Sequence, residues 1–233
     1  MLFRSLTFSM TKSSNGDVLD VYVGNKKIDS KDNVLAPPSF CRDTKGRIFV
    51  AYYYRNVNDV LDLVRYDSEG NNPTTLINGQ QSGGVWHLAS DLTTGKVYVL
   101  RYDKILYEVG EAPLSPLLPP NWPSVSLSSF NTPDARIHLI AVHGGQLFVF
   151  GRQTPVDNGL YVYDIKTTPS FQLVNQEPND IDEPPSGSTY TDMFVTDDAV
   201  YLLRSDYAPV PDHGTVYSKG ALIKYLTDRK SVV

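Results

Sequence analysis

The sequence of 233 residues predicts an all-β chain folded as a β-propeller, with about four full blades plus a partial first blade, roughly five in all. A repeated unit, a strand-and-turn composition and the lack of helical periodicity together predict it. The unit is a polar turn, an apolar strand and an arginine. Its copies are Asp43-Thr-Lys-Gly46 before 47–54 and Arg55, and Asp91-Leu-Thr-Thr-Gly95 before Lys96–Leu100 and Arg101. Gly144-Gly145 before 146–150 and Arg152, and Asp197-Asp198 before 199–203 and Arg204, complete the set. The turns fall at Gly46, Gly95, Gly145 and Asp198, steps of 49, 50 and 53 residues, and such a period marks stacked supersecondary units. Tyr, Val, Phe, Thr and Ile fill the apolar positions, while 16 Gly and 16 Pro punctuate between them, as strands and turns require. No window of helical length carries a helical period; residues 58–64 come nearest, with a pattern that strands elsewhere share.

The elements follow in order. Residues 3–10, 17–23 and 26–29 read as second, third and fourth strands of a blade with no first strand ahead of them. First strands are expected at 39–42, 85–90, 136–142 and 190–196, each ahead of one of the four turns. Third strands are expected at 62–66, 105–109, 159–164 and 221–226, marked by apolar residues running into Tyr66, Tyr107, Tyr163 and Tyr225. Weaker fourth strands are expected at 74–77 and 170–174. Pro-rich stretches at 112–123 and 177–186 are connectors, since Pro is kept out of central strands. The blade units lie at about 1–35, 36–80, 81–120, 134–176 and 188–233, within one domain spanning 1–233. Seven or eight short strands would make a sandwich; this chain holds at least about twelve to sixteen, in step with an internal period. The unmatched ends predict a fragment of a larger propeller, or blades that lie outside this sequence.

Bulk properties narrow the partners. A net charge of −5 opposes a nucleic-acid platform, which needs a basic patch or stripe. Cys41 stands alone, so no internal disulfide forms, and its expected place is inside a strand as a small apolar residue. The apolar start is interrupted by Arg4 and Ser5 and reads as no signal peptide; no stretch approaches the ~20 apolar residues of a membrane helix. Compartment and oligomeric state stay open, with a lean to an extracytoplasmic location if the chain is truncated at its N-terminus.

The unit running from Ile137-His-Leu-Ile-Ala-Val-His-Gly-Gly-Gln-Leu-Phe-Val-Phe-Gly151 through Gly159-Leu-Tyr-Val-Tyr-Asp164 resembles a kelch-type blade. The likeness covers about 137–174; the other units share it in outline. It departs from the family's double Gly at Gly151-Arg152, and Phe171 stands where that family has Trp. The resemblance implies a blade grammar and no catalytic residue.

Two sets of polar residues are candidates for a site. Arg55, Arg101, Arg152 and Arg204 leave the second strands, each followed by an aspartate (Asp59, Asp103, Asp157, Asp206). A ring of guanidinium groups would present bidentate donors to an anionic ligand; the competing reading pairs each arginine with its own aspartate. His87 after Trp86, His138 and Asp192 begin first strands and would face one channel mouth, sufficient for a metal or for acid–base work if they converged. Residues 205–219, with Tyr207 and His213, are the longest loop between a second and a third strand, and such loops concentrate binding. Asp67-Ser-Glu-Gly-Asn-Asn72 lacks the alternating ligands of a calcium loop and reads as a hairpin turn.

The expected function is a non-catalytic binding scaffold presenting channel-mouth loops to a protein or glycan, without cofactor, metal, nucleic acid or membrane insertion. The competing reading is a five-bladed hydrolase or lyase acting on carbohydrate through channel-facing His and Asp.

Overall fold

The computed structural model describes residues 6–11, 18–34, 39–53, 60–81, 87–101, 103–113, 122–130, 132–154, 158–166, 172–175, 179–180, 188–210 and 214–226. They form five antiparallel sheets in chain order, distributed over two compact units, Met1–Ser126 and Leu127–Val233.

The first unit holds three sheets. Sheet I is β1 (Leu6–Thr11), β2 (Val18–Val23) and β3 (Lys26–Asp32). Sheet II is β4 (Ser39–Arg42), β5 (Ile48–Tyr53), β6 (Val60–Tyr66) and β7 (Thr74–Gln81). Sheet III is β8 (His87–Asp91), β9 (Lys96–Leu100), β10 (Ile105–Glu108) and β11 (Ser124–Ser126).

The period-2 alternation of a strand explains why the second strands read as unbroken apolar runs. Ile48, Val50 and Tyr52 of β5 pack with Leu19, Val21 and Val23 of sheet I. The intervening Phe49 and Ala51 pack with Leu88, Val97, Val99, Tyr107 and Trp122. A strand covered on both faces has no polar side to show. Each such fully buried Val, Leu, Ile or Phe contributes about 1.5–3 kcal/mol. Sheet I differs: β2 alternates buried and partly exposed residues, and its outer face carries Asp20, held by Lys27 at 2.6 Å and by the Ser30 hydroxyl at 2.6 Å. Between sheets I and II the Tyr52 and Tyr66 hydroxyls both donate to Asp29 and lie 2.9 Å from each other. Burial, then the Tyr66 and Asp29 neighbours, push the Tyr52 phenol above its ordinary pKa.

The second unit holds sheet IV, built from β12 (Arg136–His143), β13 (Gln146–Arg152), β14 (Asn158–Lys166) and β15 (Gln172–Asn175), with β16 (Asn179–Asp180) also on β14. Sheet V is β17 (Ser188–Val195), β18 (Ala199–Val210) and β19 (Gly214–Leu226). Ala141, Phe148, Phe150, Leu160 and Val162 of sheet IV meet Tyr190, Met193, Val200 and Leu202 of sheet V. His143 Nε2 lies 2.9 Å from Asp197 Oδ1, joining the turn ends of the two sheets.

The turns have a chemical basis. Gly46, Gly95 and Gly145 adopt φ of +77°, +75° and +74°, which favours glycine. An aspartate opens two of them. Asp43 Oδ1 accepts the N–H groups of Lys45 (3.0 Å) and Arg47 (2.8 Å), and Asp91 Oδ1 accepts Thr93 N (2.9 Å) and Thr93 Oγ1 (2.5 Å). Both carboxylates are buried and consumed by their turns. Asp67 builds the β6–β7 turn the same way, accepting from Glu69 N, Asn71 N and Asn72 Nδ2. Cys41 packs against the core between sheets II and III, and burial pushes its thiol up.

The residues nearest to a helical pattern run into β6, a strand from Val60 that contains the expected third strand at 62–66. Two expectations change. The third sheet has a fourth strand, β11, directly after the Pro-rich connector. The expected loop at 205–219 is largely strand: β18 and β19 remain paired from Ala199↔Leu226 out to Val210↔Gly214. The β17 ladder ends at Ser188↔Asp206, so Pro209 sits in a two-stranded ribbon, where its missing N–H breaks no bond to β17.

Candidate functional site

Counting along each ladder from its turn aligns the sheets residue by residue. His87 pairs with Leu100, Asp192 with Leu203, Leu139 with Phe150 and Ser39 with Ala51. These four first-strand residues hold one equivalent position, each within its own sheet. His138 does not join it, because it has no partner between Ile137↔Gly151 and Leu139↔Phe150 and forms a β-bulge. Its counterpart in sheet V is Thr191, bulged between Tyr190↔Arg204 and Asp192↔Leu203. The same count puts Arg101 and Arg204 level with Gly151, while Arg152 lies one residue further along, level with Ser205. Arg101 and Arg204 therefore keep the file that the sequence repeat gave them, and Arg152 leaves it because Gly151 intervenes in β13.

Bulges re-aim side chains, and in the second unit they assemble a patch at the start of the first strands. Opposite the bulge, a Cβ on Gly151 would run into the Arg136 carbonyl, so the two strands approach closely only because residue 151 is glycine. The His138 ring lies 5.7 Å from Phe150, whose ring meets Tyr190 edge-on at 5.0 Å. Arg136 and Arg152 are cross-strand partners at the end of the ladder. Arg136 Nη1 donates to the carbonyls of Pro133 and Ala135, both at 2.9 Å, which fixes the guanidinium. His138 is exposed, yet partial desolvation, then the charges of Arg152 and Arg136, hold its pKa below the ordinary value. At neutral pH the imidazole therefore carries one N–H donor and one acceptor nitrogen. Nearby on sheet V, the Thr191 hydroxyl bonds the Leu203 carbonyl (3.2 Å) and Ser205 Oγ (3.3 Å). Asp192 is exposed and turns its Oδ1 back onto Met193 N at 2.8 Å.

In the first unit His87 is partly exposed at the start of β8. Arg101 pairs with its own Asp103 at 3.3 Å and lies over the Tyr107 ring at 5.8 Å. Arg204 stands between Tyr190 and Ala221 in sheet V, and Tyr207 has its backbone opposite Tyr217. Arg55, Trp86 and His213 lie outside the described residues. No group of three or more His, Cys, Asp or Glu arranged to hold a metal occurs among the described residues.

A second feature escaped the sequence reading. At the opposite, turn-bearing ends of sheets II and III lies a cavity of about 290 Å³, lined among others by Lys45, Arg47, Arg65, Lys96, Glu108 and Glu111. Arg47 follows Gly46, and Arg65 is a charge inside an apolar strand, so each was visible singly. Their meeting across 46 and 64 residues at Glu111 was not.

No family model matches the chain, so the kelch likeness finds no support there. The chain is 29% identical over 239 residues to the 53 kDa membrane antigen A of Treponema denticola, covering 91% of this chain and 44% of that protein. Among solved structures it resembles exo-β-1,3-galactanase from Phanerochaete chrysosporium bound to β-1,3-galactotriose, with a TM-score of 0.50 at 10% identity, covering 96% of this chain and 57% of that one. The same enzyme with galactose matches at a TM-score of 0.51 and 10% identity, covering 97% and 58%. At that identity the likeness concerns the fold alone. The fold is that of a β-propeller of about five blades, one for each sheet.

Proposed function

We propose that the chain is a non-catalytic binding scaffold whose second unit takes a carboxylate-bearing protein or glycan at the patch formed by Arg136, His138 and Arg152. One observation carries this reading: Arg136 and Arg152 are cross-strand partners beside the bulge that holds His138, and both charges lower the imidazole pKa along with its burial. A histidine serving as general base is normally oriented by a carboxylate; this one is bordered by guanidinium groups, which suit a ligand anion. The buried Phe150 and Tyr190 rings form the floor on which the imidazole rests, and the neutral imidazole can both donate to and accept from a hydroxyl. The competing reading, a carbohydrate hydrolase or lyase, is favoured by the galactanase likeness, but fold does not carry activity.

The test uses an oligogalacturonate and a neutral galactan oligomer as probes. Binding of the uronate, weakened at least tenfold in the Arg136→Ala/Arg152→Ala double variant and with no new reducing ends, is expected. Release of reducing ends from either probe, lost in His138→Ala, would overturn the scaffold reading in favour of an enzyme.

A further inference from the structure

We infer that the cavity between sheets II and III is a second ligand site, for a small carboxylate, and that Glu111 occupies it as an internal substitute for that ligand. The two arginines are held in place. Arg47 Nε is 2.6 Å from the buried Asp43 Oδ2, and its guanidinium lies over the Phe49 ring at 5.8 Å. Arg47 and Arg65 side chains are only 24% and 18% exposed. They converge on one carboxylate: Arg47 Nη1 reaches both Glu111 oxygens at 2.9 and 2.8 Å, and Arg65 Nη1 reaches Oε2 at 2.6 Å.

Glu111 itself is 69% exposed. It belongs to no strand, yet its backbone is pinned on both sides. Val109 N donates to Val97 O at 2.9 Å, Arg65 Nη1 also reaches the Glu111 carbonyl at 3.3 Å, and Trp122 Nε1 donates to Ala112 O at 2.9 Å. Trp122 also packs so closely over Gly110 that an added Cβ would lie 2.7 Å from its ring. A fixed backbone, two fixed cations and an exposed carboxylate leave rotation of the Glu111 side chain as the motion that opens the fork.

The remaining lining is cationic on balance. Lys96 is paired with Glu108 at 2.9 Å, and Lys45 stands exposed at the rim. A carboxylate entering the cavity would therefore meet the same bidentate donors that Glu111 uses, with Lys45 beside them. The volume suits a monosaccharide acid or a small dicarboxylate, since it lies near the lower end of small-ligand pockets. The Arg47 and Arg65 bonds hold the Glu111 carboxyl below its ordinary pKa, so it competes for the fork throughout the neutral range. A tethered carboxylate competes at high effective concentration, and removing it should expose the site.

The probe is D-glucuronate, with D-glucose as the uncharged control, followed by calorimetry on the whole chain. Glu111→Ala and Glu111→Gln should both bind glucuronate at least tenfold more tightly than the native chain, and adding Arg65→Met to either should cancel the gain. Glucose should bind none of them. Acetate offers a second readout: it should raise the melting temperature of Glu111→Ala saturably, above the effect of sodium chloride at equal ionic strength, and leave the native chain unchanged. If neither Glu111 variant binds glucuronate better than the native chain, or if Arg65→Met leaves the gain intact, the inference falls. A melting temperature that acetate and chloride shift alike overturns it as well.

Discussion

Replacing Asp43 tests the idea that the repeated turns are built on buried carboxylates. Asp43→Ala removes three acceptor contacts, to Lys45 N at 3.0 Å, Arg47 N at 2.8 Å and Arg47 Nε at 2.6 Å. The Asp43 side chain is 1% exposed, so the lost partners are not simply replaced by bulk water. Hydrogen bonds to charged groups contribute about 1.5–3 kcal/mol each. The sum must be discounted, because Arg47 is partly solvated and keeps Glu111, and exposed pairs contribute little. A net loss of about 2–4 kcal/mol remains. Asp43→Asn keeps one carbonyl oxygen for the two backbone donors and loses the ion pair, for about 1–2 kcal/mol. In urea unfolding, at a slope of ~2–3 kcal/mol/M, the alanine variant should shift the midpoint by about 1 M and the asparagine variant by roughly half that. An alanine variant within about 0.5 kcal/mol of the native chain, a typical surface-substitution effect, would refute the reasoning, and so would an asparagine variant as damaging as alanine.

Further outcomes follow from the same geometry. Gly151→Ala should push β12 and β13 apart at the bulge, because its Cβ meets the Arg136 carbonyl; fewer protected amides at Ile137 and Gly151 in hydrogen exchange would register it. Tyr52→Phe should lower stability by about 1–2 kcal/mol, since a buried hydroxyl bonded to Asp29 at 3.0 Å is lost, measurable as a reduced urea midpoint. His138 has a folded-state pKa below its ordinary value of 6.5, so the unfolded chain binds the proton more tightly. Its contribution is intact above pH 6.5 and lost as pH falls from there through the lower folded-state value; His138→Gln should flatten the slope of stability against pH in this window.

Much of the architecture could be read because it depends on local signals. Glycines at positive φ mark Gly46, Gly95 and Gly145, and the double-sided burial of β5, β9 and β13 produces apolar runs that are hard to mistake. Pairing beyond the turn was less legible. Pro209 suggested a loop, yet the residues from 207 to 210 continue as strand because only one neighbour remains to be satisfied.

The candidate sites show the same division. Counting residues back from each turn aligned His87, His138 and Asp192, but one extra residue in β12 moves His138 off the position in its sheet that His87 and Asp192 hold in theirs. A bulge is a cross-strand property and leaves no mark on a single strand. The Arg47–Glu111–Arg65 fork joins residues from two sheets and a connector, where spacing along the chain carries no information.

The scaffold reading rests most directly on the environment of His138. Its C2 proton, followed by NMR from pH 4 to 9, should titrate with a midpoint below the ordinary 6.5, and the midpoint should rise when oligogalacturonate places carboxylates beside it. A midpoint above 6.5 in the free protein would reveal a carboxylate partner for the imidazole, and would contradict a site built to receive one from its ligand.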